Sequence, residues 1–364
     1  MLPAAFRSLA FGALLGLAGH VATAGEAAPI RVAPSRPAAP QLWPLTRLHG
    51  VDYIDVNEIA RRFDLKAAWT KPQQELTLSD ARGARFVFSA SQYDFYFDGL
   101  RVFLGARALS EKKTLFLTKL DVIKIVAPLL RPGDHADPAP VRPPKTIVLD
   151  PGHGGGDPGK ENLALGLNEK TFTLDVALRL KKLLEAEGWR VLMTRKDDKV
   201  FSGDKKLDLQ MRDEFTNREK ADLFLSIHFN AVERNPQQVT GVETYILPAQ
   251  YMLSTLEEKK DDMTDVAYPG NRFDYANLLL GAELHRAVLG SLKTPDRGFK
   301  RGRLAVLRLL DCPGALVECA FLSSDAEARR IATPEFRQQI AAGLSDGLRN
   351  YAAAIEKLHP APAP

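Results

Sequence analysis

The stretch TIVLDPGHGGGDPGK, residues 146–160, combines a short apolar run, an abrupt stop and a single histidine among glycines. The apolar run at 147–149 is typical of a strand buried on both faces, and the Asp-Pro-Gly at 150–152 ends it. Dense glycines let the backbone adopt positive φ angles and approach a ligand closely. His153 would then lie at the carboxyl end of a buried strand, where open α/β sheets place their active sites. The same residues also fit a glycine-rich turn with a solvent-exposed histidine.

A phosphate-binding loop is a weaker interpretation of this stretch. The glycines match neither the Walker pattern nor the dinucleotide pattern, and no Lys-Ser or Lys-Thr pair opens a helix after them. The rest of the chain must therefore decide between a site and a simple turn.

Strand and helix signals alternate from Thr146 to the end of the chain. Asn168 is placed to cap a long helix that Gly188 ends, and Thr333-Pro334 is a typical start for the last helix. The other predicted strands are Arg190–Met193, Ala221–Ile227, Val242–Leu247, Leu304–Leu307 and Ala315–Phe321, and the other predicted helices are Gln210–Lys220 and Phe273–Leu292. This alternation predicts an α/β domain with a mostly parallel sheet and helices on both faces.

Two proline-rich segments divide the chain. Residues 25–45 are rich in proline and alanine, and residues 131–145 are rich in proline, so both predict extended linkers. The short strand signals between them predict a small accessory α+β domain at 46–130. The larger α/β domain follows at 146–358, and residues 359–364 form a short tail.

The accessory segment resembles a known small domain. It begins with a strand at 51–54 and a helix that Asp55 can cap, with Glu58 three residues later as in a capping box. Ala67-Ala68-Trp69 and a further strand follow. This order resembles the domain called copper amine oxidase N-terminal-like, but nothing in the segment supplies a metal cluster, so copper is not inferred.

The accessory segment also contains a cluster of aromatic residues. Alternating aromatics in a strand usually belong to a core, although they can also form a surface that stacks on sugars. Both interpretations apply to Tyr93, Phe95, Tyr96 and Phe97.

The N-terminus has the features of a secretory signal. Arg7 is positively charged, residues 9–19 are an apolar run too short to span a bilayer, and Ala22-Thr23-Ala24 is a small-x-small cleavage site. We therefore expect a signal peptide at 1–24, because a buried N-terminal helix would leave the cleavage site unexplained. Since no later segment resembles a transmembrane helix, we expect an exported protein of the periplasm, the cell envelope or the extracellular space.

The composition bears on nucleic-acid binding and on the number of domains. A formal net charge of +4 is small for 364 residues, so it gives no reason to expect a nucleic-acid partner. A hydrophobic content of 45% is enough for a large core, and the length suggests two domains.

The two cysteines, Cys312 and Cys319, are both predicted to be buried and unpaired. Export would permit a disulfide. However, if 315–319 is a strand, its rise of about 3.3 Å per residue takes the two Cα atoms beyond the ~7 Å limit of a disulfide. Only a sharp reversal at Pro313-Gly314 would bring them together.

Three further polar residues belong with His153. His228 directly follows an apolar run, and Glu318 lies inside another one. A carboxylate in a buried strand is unfavourable unless it is paired, bound to a ligand or catalytic. Glu169 begins the helix that follows the glycine loop. Two histidines and a carboxylate, with one position left for water, are a common catalytic zinc set, and a further glutamate can act as general base.

Each of these residues also has a structural interpretation. His228 would be a hydrogen-bonded core histidine, and Glu169 a charge that is favourable at a helix N-terminus. Glu318 would form a buried salt bridge to Arg195 or Arg308. The spacing of the histidines and Glu169 matches no short metal motif such as HExxH.

Five short motifs nevertheless occur in one order. They are DPGHGG at 150–155, NEK at 168–170, MTR at 193–195, ADLFLSIH at 221–228 and LVECAFLS at 316–323. Together they resemble the zinc-dependent N-acetylmuramoyl-L-alanine amidases of the Amidase_3 type.

The resemblance implies a zinc amidase catalytic domain at 146–358. It implies a catalytic zinc ion held by His153, Glu169 and His228, with Glu318 as the catalytic glutamate. The family usually has Gly at the position of Cys319 and Asn at the position of Ser324. These two departures concern packing more than activity, because neither position belongs to the metal set.

The resemblance also implies the reaction. Such an enzyme cleaves the amide between N-acetylmuramic acid and L-alanine of the stem peptide in peptidoglycan, with Glu318 as general base and acid on the zinc-bound water. A different zinc amide hydrolase, such as a carboxypeptidase, would share the metal chemistry. A non-catalytic wall-binding protein is a further alternative, although the intact metal set argues against it.

Residues 251–272, YMLSTLEEKKDDMTDVAYPGNR, interrupt the sheet pattern with a charged and helix-prone insertion. Most insertions of this kind are solvated surface. Some amidases that this chain resembles carry at this point a regulatory helix that covers the zinc until a partner removes it. The insertion is therefore also a candidate site for a protein activator.

Overall fold

The computed structural model describes residues 42–111, 113–257 and 259–358. The predicted signal peptide, most of the first proline-rich segment and the C-terminal tail lie outside these residues. In the described part of the chain, no helix combines the length and the apolar composition needed to cross a lipid bilayer.

The accessory segment is rich in strands. Its strands are β1 (Thr46–Leu48), β2 (Val51–Asp55), β3 (Lys66–Lys71), β4 (Glu75–Asp80), β5 (Gly83–Ser89), β6 (Asp94–Phe97), β7 (Leu100–Phe103), β8 (Leu109–Glu111) and β9 (Thr114–Thr118). Its helices are α1 (Val56–Arg62), α2 (Lys119–Asp121) and α3 (Ala127–Leu130), with a π-helical stretch at Val122–Val126 between the last two and a 3-10 turn at Pro132–Asp134 after them.

The larger segment alternates strands and helices. Its strands are β10 (Thr146–Pro151), β11 (Glu161–Asn162), β12 (Leu167–Asn168), β13 (Arg190–Met193), β14 (Leu223–Asn230), β15 (Val242–Ile246), β16 (Asp296–Arg301) and β17 (Gly314–Phe321). Its helices are α4 (Glu169–Ala186), α5 (Lys205–Arg218), α6 (Asp274–Leu292), α7 (Ala305–Arg308), α8 (Asp325–Ile331) and α9 (Pro334–Leu358), with 3-10 turns at Pro236–Gln238 and Pro269–Phe273.

Local sequence signals explain the start of the accessory segment. The Asp55 side chain caps α1 by accepting a hydrogen bond of 2.8 Å from the backbone N–H of Asn57, as predicted. Glu58 pairs with Arg61. Asp98 and Gly99 have φ angles of 47° and 79°, which is the positive-φ geometry of a tight hairpin between β6 and β7.

One mixed sheet runs through both segments, in the strand order β13-β10-β14-β17-β15-β16-β7-β6-β5-β4-β3. Strands β13, β10, β14 and β17 are parallel, but β15 is antiparallel to β17, and β3 to β7 form an antiparallel meander. The expectation of a mostly parallel sheet was therefore wrong. No long helix separates β14 from β15, so β15 starts at the end of the sheet where β14 stops and runs back in the opposite direction.

Two elements of the structure differ from the sequence prediction. Leu304–Leu307 was expected to be a strand, but α7 occupies this region, because a short apolar run does not distinguish strand from helix. Strand β16 was not predicted. Its sequence, DRGFKR, carries charges that obscure the alternation of a strand.

Helices cover both faces of the sheet in the larger segment, as predicted. One face packs against α4, α6 and α9, and its core includes Leu149, Val317 and Leu284. The other face packs against α5 and α7 through a second apolar cluster around Phe224 and Leu316. Both cysteines are buried and free, which confirms that they act as small apolar side chains.

The accessory segment joins the larger one through the sheet. Strand β7 pairs in parallel with β16, with Val102 next to Phe299. The side chain of Asp296 in β16 accepts hydrogen bonds from the backbone N–H of Arg101, at 2.9 Å, and of Gly298, at 2.7 Å. Thus the proline-rich segment links two parts of the chain that share a continuous sheet.

Gly298 is required where the two segments meet. Its φ angle is +107°, and a Cβ atom at this position would lie 2.4 Å from Cε2 of Phe103 in β7. No side chain fits there without moving the Phe103 ring, so β7 and β16 approach closely because residue 298 is glycine.

We therefore predict that Gly298→Ala lowers the free energy of unfolding by ~1–3 kcal/mol, since overpacking and a strained φ angle act together. Urea unfolding measures the change. Gly290→Ala is the matched control, because no atom lies within 4 Å of its Cβ position in α6. That substitution should raise the stability by up to ~1 kcal/mol. A Gly298→Ala protein as stable as the unmodified chain would contradict the tight junction.

Candidate metal centre

His153 lies in the glycine loop directly after β10. Its φ angle is +65°, an uncommon conformation for a residue with a side chain, which positions the ring toward the start of α4. Nδ1 lies 3.0 Å from Oδ2 of Asp157, and Nε2 lies 3.0 Å from Oε2 of Glu169. Asp157 therefore orients the ring, while Nε2 faces the other predicted ligands.

Glu169 is the first residue of α4 and is only 1% exposed. The side chain of Asn168 caps the helix by accepting a hydrogen bond from the backbone N–H of Thr171, as predicted. The Glu169 carboxylate accepts hydrogen bonds from two backbone N–H groups, those of Lys160 at 2.7 Å and Phe229 at 2.9 Å. These bonds fix the carboxylate between the glycine loop and the end of β14.

His228 lies near the end of β14, where a bulge shifts the pairing with β17. Its Nδ1 atom is 2.9 Å from Oε1 of Glu169. A Cβ atom on Gly152 would lie 2.2 Å from Cε1 of His228, so the glycine after Pro151 leaves the space that the ring occupies. The second glycine contact is at Gly159, where a Cβ atom would lie 2.6 Å from Oε2 of Glu169.

The structure thus brings together the three predicted ligands. His153, Glu169 and His228 each offer one ligand atom, and these atoms all lie within 4.8 Å of one another. The glycine loop, the start of α4 and the end of β14 each contribute one of them. Their role as metal ligands remains a prediction, but their geometry is that of a possible metal site.

The charges of the three residues are coupled. Burial by itself would raise the pKa of Glu169, but its hydrogen bonds and charge interactions with His153 and His228 outweigh burial and lower this pKa. Burial also opposes the charged form of His153, yet Glu169 and Asp157 raise its pKa. Glu169 is thus favoured as a carboxylate, whereas His153 is favoured in its protonated form and must release that proton before it can bind a metal ion.

Glu318 lies in β17 beside His228 in β14 and beside Glu243 in β15. Its Oε2 atom is shielded from solvent and has no hydrogen-bond partner among the described residues. Burial raises the pKa of the Glu318 carboxyl well above its usual value, and the charges of Glu169 and Glu243 raise it further. An unpaired buried carboxyl next to the three converging side chains is a candidate for proton transfer.

The alternative of a buried salt bridge for Glu318 is wrong. Arg195 donates instead to the backbone oxygens of Pro151, at 2.9 Å, and Gly152, at 3.0 Å. Arg308 lies over the ring of Tyr268. Neither guanidinium forms an ion pair with Glu318 in the described part of the chain.

Glu243 was not predicted from the sequence. Its Oε1 atom accepts hydrogen bonds from Lys300 Nζ, at 2.6 Å, and Arg297 Nε, at 3.2 Å. Its Oε2 atom accepts one from Tyr245, at 2.7 Å. The sequence pattern that indicated Glu318, a carboxylate inside an apolar strand, also occurs at Glu243. Asp157 was also missed, although it follows His153 by four residues in the same loop.

A buried polar network supports the end of β10. Arg212 of α5 pairs with Asp150, at 2.8 Å, and with Asp208, at 2.7 Å, and it donates to the backbone oxygen of His153 at 3.0 Å. Asp150 also accepts hydrogen bonds from the hydroxyls of Thr194, at 2.6 Å, and Ser226, at 2.7 Å. The network holds the glycine loop against three neighbouring elements.

The insertion at 251–272, although helix-prone in sequence, forms no α-helix in its described residues. Its described residues form turns, followed by the 3-10 turn that begins at Pro269. The hydroxyls of Ser254 and Thr255 donate to the backbone oxygen of Arg301, at 3.1 and 2.8 Å, and Glu257 pairs with Arg303. These contacts attach the insertion to the end of β16.

We predict that Arg212→Met lowers the free energy of unfolding by ~3–5 kcal/mol, because it leaves Asp150 buried without its cation. Arg218→Met, on the same helix, is the control. The Arg218 side chain is 67% exposed, so its replacement should lower the free energy of unfolding by less than ~1 kcal/mol.

The two variants should also differ in their response to acid. Burial opposes ionisation of Asp150, but Arg212 and the two hydroxyls lower its pKa in the folded protein. A lowered folded pKa gives stability that is present above the unfolded pKa of about 3.9 and is lost as the pH falls through the folded pKa. Without Arg212, burial would raise this pKa, so protonation of Asp150 would relieve the unpaired charge. The difference in stability between Arg212→Met and the unmodified chain should therefore shrink as the pH falls. Identical acid unfolding curves for the two variants would contradict the role of the network.

Comparison with known proteins identifies the family. The model of the N-acetylmuramoyl-L-alanine amidase family Amidase_3 matches residues 147–350. The AmiC N-acetylmuramoyl-L-alanine amidase of Neisseria meningitidis serogroup B is 35% identical over an alignment of 225 residues, which covers 56% of this chain and 52% of that protein. An uncharacterized cell wall amidase of Bacillus anthracis is 32% identical over 209 residues, which are 57% of this chain and 35% of that protein.

A solved structure is also similar. The N-acetylmuramoyl-L-alanine amidase of Clostridium difficile 630 is 29% identical, and the match covers 57% of this chain and 97% of that one, with a TM-score of 0.46. The chain spans about half the length, or less, of the first curated relatives that it matches. Because the family model matches more than half of the 364 residues, the chain belongs to the N-acetylmuramoyl-L-alanine amidase family.

Proposed function

We propose that this protein is a zinc-dependent peptidoglycan hydrolase. It would cleave the amide bond between N-acetylmuramic acid and L-alanine of the stem peptide. The observation that carries the proposal is the convergence of His153, Glu169 and His228 beside the unpaired carboxyl of Glu318. The choice of bond is supported by relatives that are named N-acetylmuramoyl-L-alanine amidases.

The residues present fit a zinc ion. Two imidazole nitrogens and a carboxylate oxygen are the donor types that catalytic zinc sites use, and three protein ligands leave a position for substrate or water. Asp157 occupies Nδ1 of His153 and so leaves Nε2 for the metal, as a supporting carboxylate does in such sites. Zinc held by His153, Glu169 and His228 would polarise the amide carbonyl and make water more acidic.

The chain's own contribution to the reaction centres on Glu318. Its Oε2 atom accepts no hydrogen bond from the described residues, so it can take a proton from the attacking water. Burial raises the pKa of this carboxyl, and the positive charge of a bound zinc ion would lower it again, so that Glu318 could take the proton and then pass it to the leaving amine. The pairing of Glu318 with His228 across β14 and β17 supports a role for this carboxyl beside the proposed ligands.

We also propose that the protein is exported to the periplasm or the cell envelope. The substrate lies outside the cytoplasm, and a relative from Bacillus anthracis is named a cell wall amidase. The signal peptide expected at 1–24 would provide the route.

A protein activator acting on 251–272 remains a hypothesis. The contacts of this insertion with Arg301 and Arg303 hold it at the end of β16. An inhibitory role would therefore require the insertion to leave these contacts and reach the metal ligands.

The direct test uses residues 25–364, incubated with purified peptidoglycan with and without a chelator, and analyses the products by mass. We expect free stem peptides with an L-alanine amino terminus, lost on chelation and restored by zinc. Release of single amino acids with intact sugar–peptide bonds would indicate a carboxypeptidase. A purified protein that binds no zinc would contradict the proposal as a whole.

Substitution of Glu318 separates catalysis from metal binding. We expect Glu318→Gln to keep the fold and the zinc content but to lose about 10²–10⁴ in rate, the usual contribution of a general base. His153→Ala should lose zinc and activity together. Glu356→Gln, at an exposed position of α9, is the matched control and should match the unmodified enzyme. Normal turnover by Glu318→Gln would exclude the catalytic role.

A further inference from the structure

The row of side chains that contains Glu318 continues across the sheet into the accessory segment. Glu318 pairs with Glu243 in β15. Strand β16 follows β15 in the sheet, and β16 pairs in turn with β7, where Phe299 lies next to Val102. Arg101 of β7 pairs with Tyr96 of β6. The same row then passes through Val87 of β5 and Thr77 of β4.

Side-chain contacts show that this row lies on one face of the sheet. Lys300 bonds to Glu243 at 2.6 Å, and its Nζ atom lies 5.3 Å from the ring centre of Phe103 in β7. The neighbouring residues along the strands, Val102 and Phe95, point to the opposite face and are buried in the core. Glu318 and the accessory strands therefore lie on the same face of one sheet.

Helices cover this face on one side of Glu318, and on the other side it becomes exposed in the accessory segment. Toward β10, helices α5 and α7 pack on it, and Arg212 of α5 reaches the end of β10. In the accessory segment, Tyr96 is 46% exposed, and Val87 and Thr77 are half-buried. Between Glu318 and these residues, the side chains of Glu243 and Lys300 are only 5% and 14% exposed, so the open part of this face begins at the accessory strands.

The chemistry of the open surface suits a sugar chain. The exposed Tyr96 ring offers a flat apolar face, and the C–H face of a sugar ring can stack on such a face. Beside it, Asp94 and Arg101 form an ion pair of 2.5 Å, which offers donors and acceptors to sugar hydroxyls. The short hydroxyl side chain of Thr77 extends the polar part of the surface.

We propose that Thr77, Val87, Tyr96, Arg101 and Phe103, which we term the accessory face, bind the glycan strand of peptidoglycan. This inference rests on the proposed function, because it extends the substrate site of that reaction. Tyr96 lies four strands away from Glu318, a distance of about 19 Å at the usual strand spacing. The glycan would contact the accessory face while the muramoyl amide lies at the candidate metal centre.

Two substrates test the proposal. Insoluble peptidoglycan reaches the accessory face, whereas a single N-acetylmuramoyl peptide is too short to do so. We expect Tyr96→Ala to lower the ratio of kcat/KM for the polymer to kcat/KM for the short substrate by about 3- to 10-fold, the loss of one aromatic contact. Tyr96→Phe, which keeps the ring, should restore the ratio.

Tyr251→Ala is the matched control. Tyr251 is 54% exposed and is not part of the accessory face, so its substitution should leave the ratio unchanged. If Tyr96→Ala folds poorly, Tyr96→Val removes the ring while keeping a side chain that favours strands. If Tyr96→Ala and Tyr96→Val both give the same ratio as the unmodified chain, the proposal is overturned.

A binding measurement separates this proposal from the proposed function. The full chain carrying Glu318→Gln is sedimented with glycan strands from which the peptides have been removed. The second substitution is then introduced into the same chain. If Tyr96→Ala weakens binding and Tyr251→Ala does not, glycan binding by the accessory face is supported even if neither substrate is cleaved. Equal binding by both variants, or Tyr96-dependent binding of free stem peptides alone, would contradict a glycan site.

Discussion

The carboxylate of Glu169 is the interaction on which the candidate site depends. It accepts backbone hydrogen bonds from Lys160 in the glycine loop and from Phe229 in β14, and it lies against both histidines. A buried carboxylate is costly unless its oxygens are satisfied, so the loop, the helix and the strand are held in one arrangement. Gly152 and Gly159 leave room for this arrangement, because a Cβ atom at either position would collide with His228 or Glu169.

The sequence predicted the residues of this arrangement because their signals are local. A histidine after a buried strand, a capped helix that begins with glutamate and a carboxylate in an apolar run can each be recognised from a few neighbouring residues. Asn168 caps α4 as predicted, so the helix start places Glu169 where the loop can reach it. The resemblance to a family then supplied their roles, which spacing alone did not.

The features that could not be predicted depend on contacts between distant residues. The direction of β15 follows from the route of the chain at the end of β14, and no local pattern records it. That antiparallel direction brings Glu243 beside Glu318. Strand β16 was missed because its charged side chains are neutralised by partners elsewhere, such as Glu243 for Lys300. The insertion at 251–272 carries a helical composition, yet contacts with Arg301 and Arg303 determine its conformation.

The shared sheet changes what the accessory segment can do. A proline-rich linker alone would let the segment take many orientations, so anything bound to it would meet the candidate site at a variable distance. Pairing of β7 with β16 and the hydrogen bond from Arg101 to Asp296 replace that freedom with a fixed register. His285 in α6 also contacts Asp296, so a core helix supports the junction. The accessory face therefore stands at a defined distance from Glu318, and a polymer bound there would be aligned as well as retained.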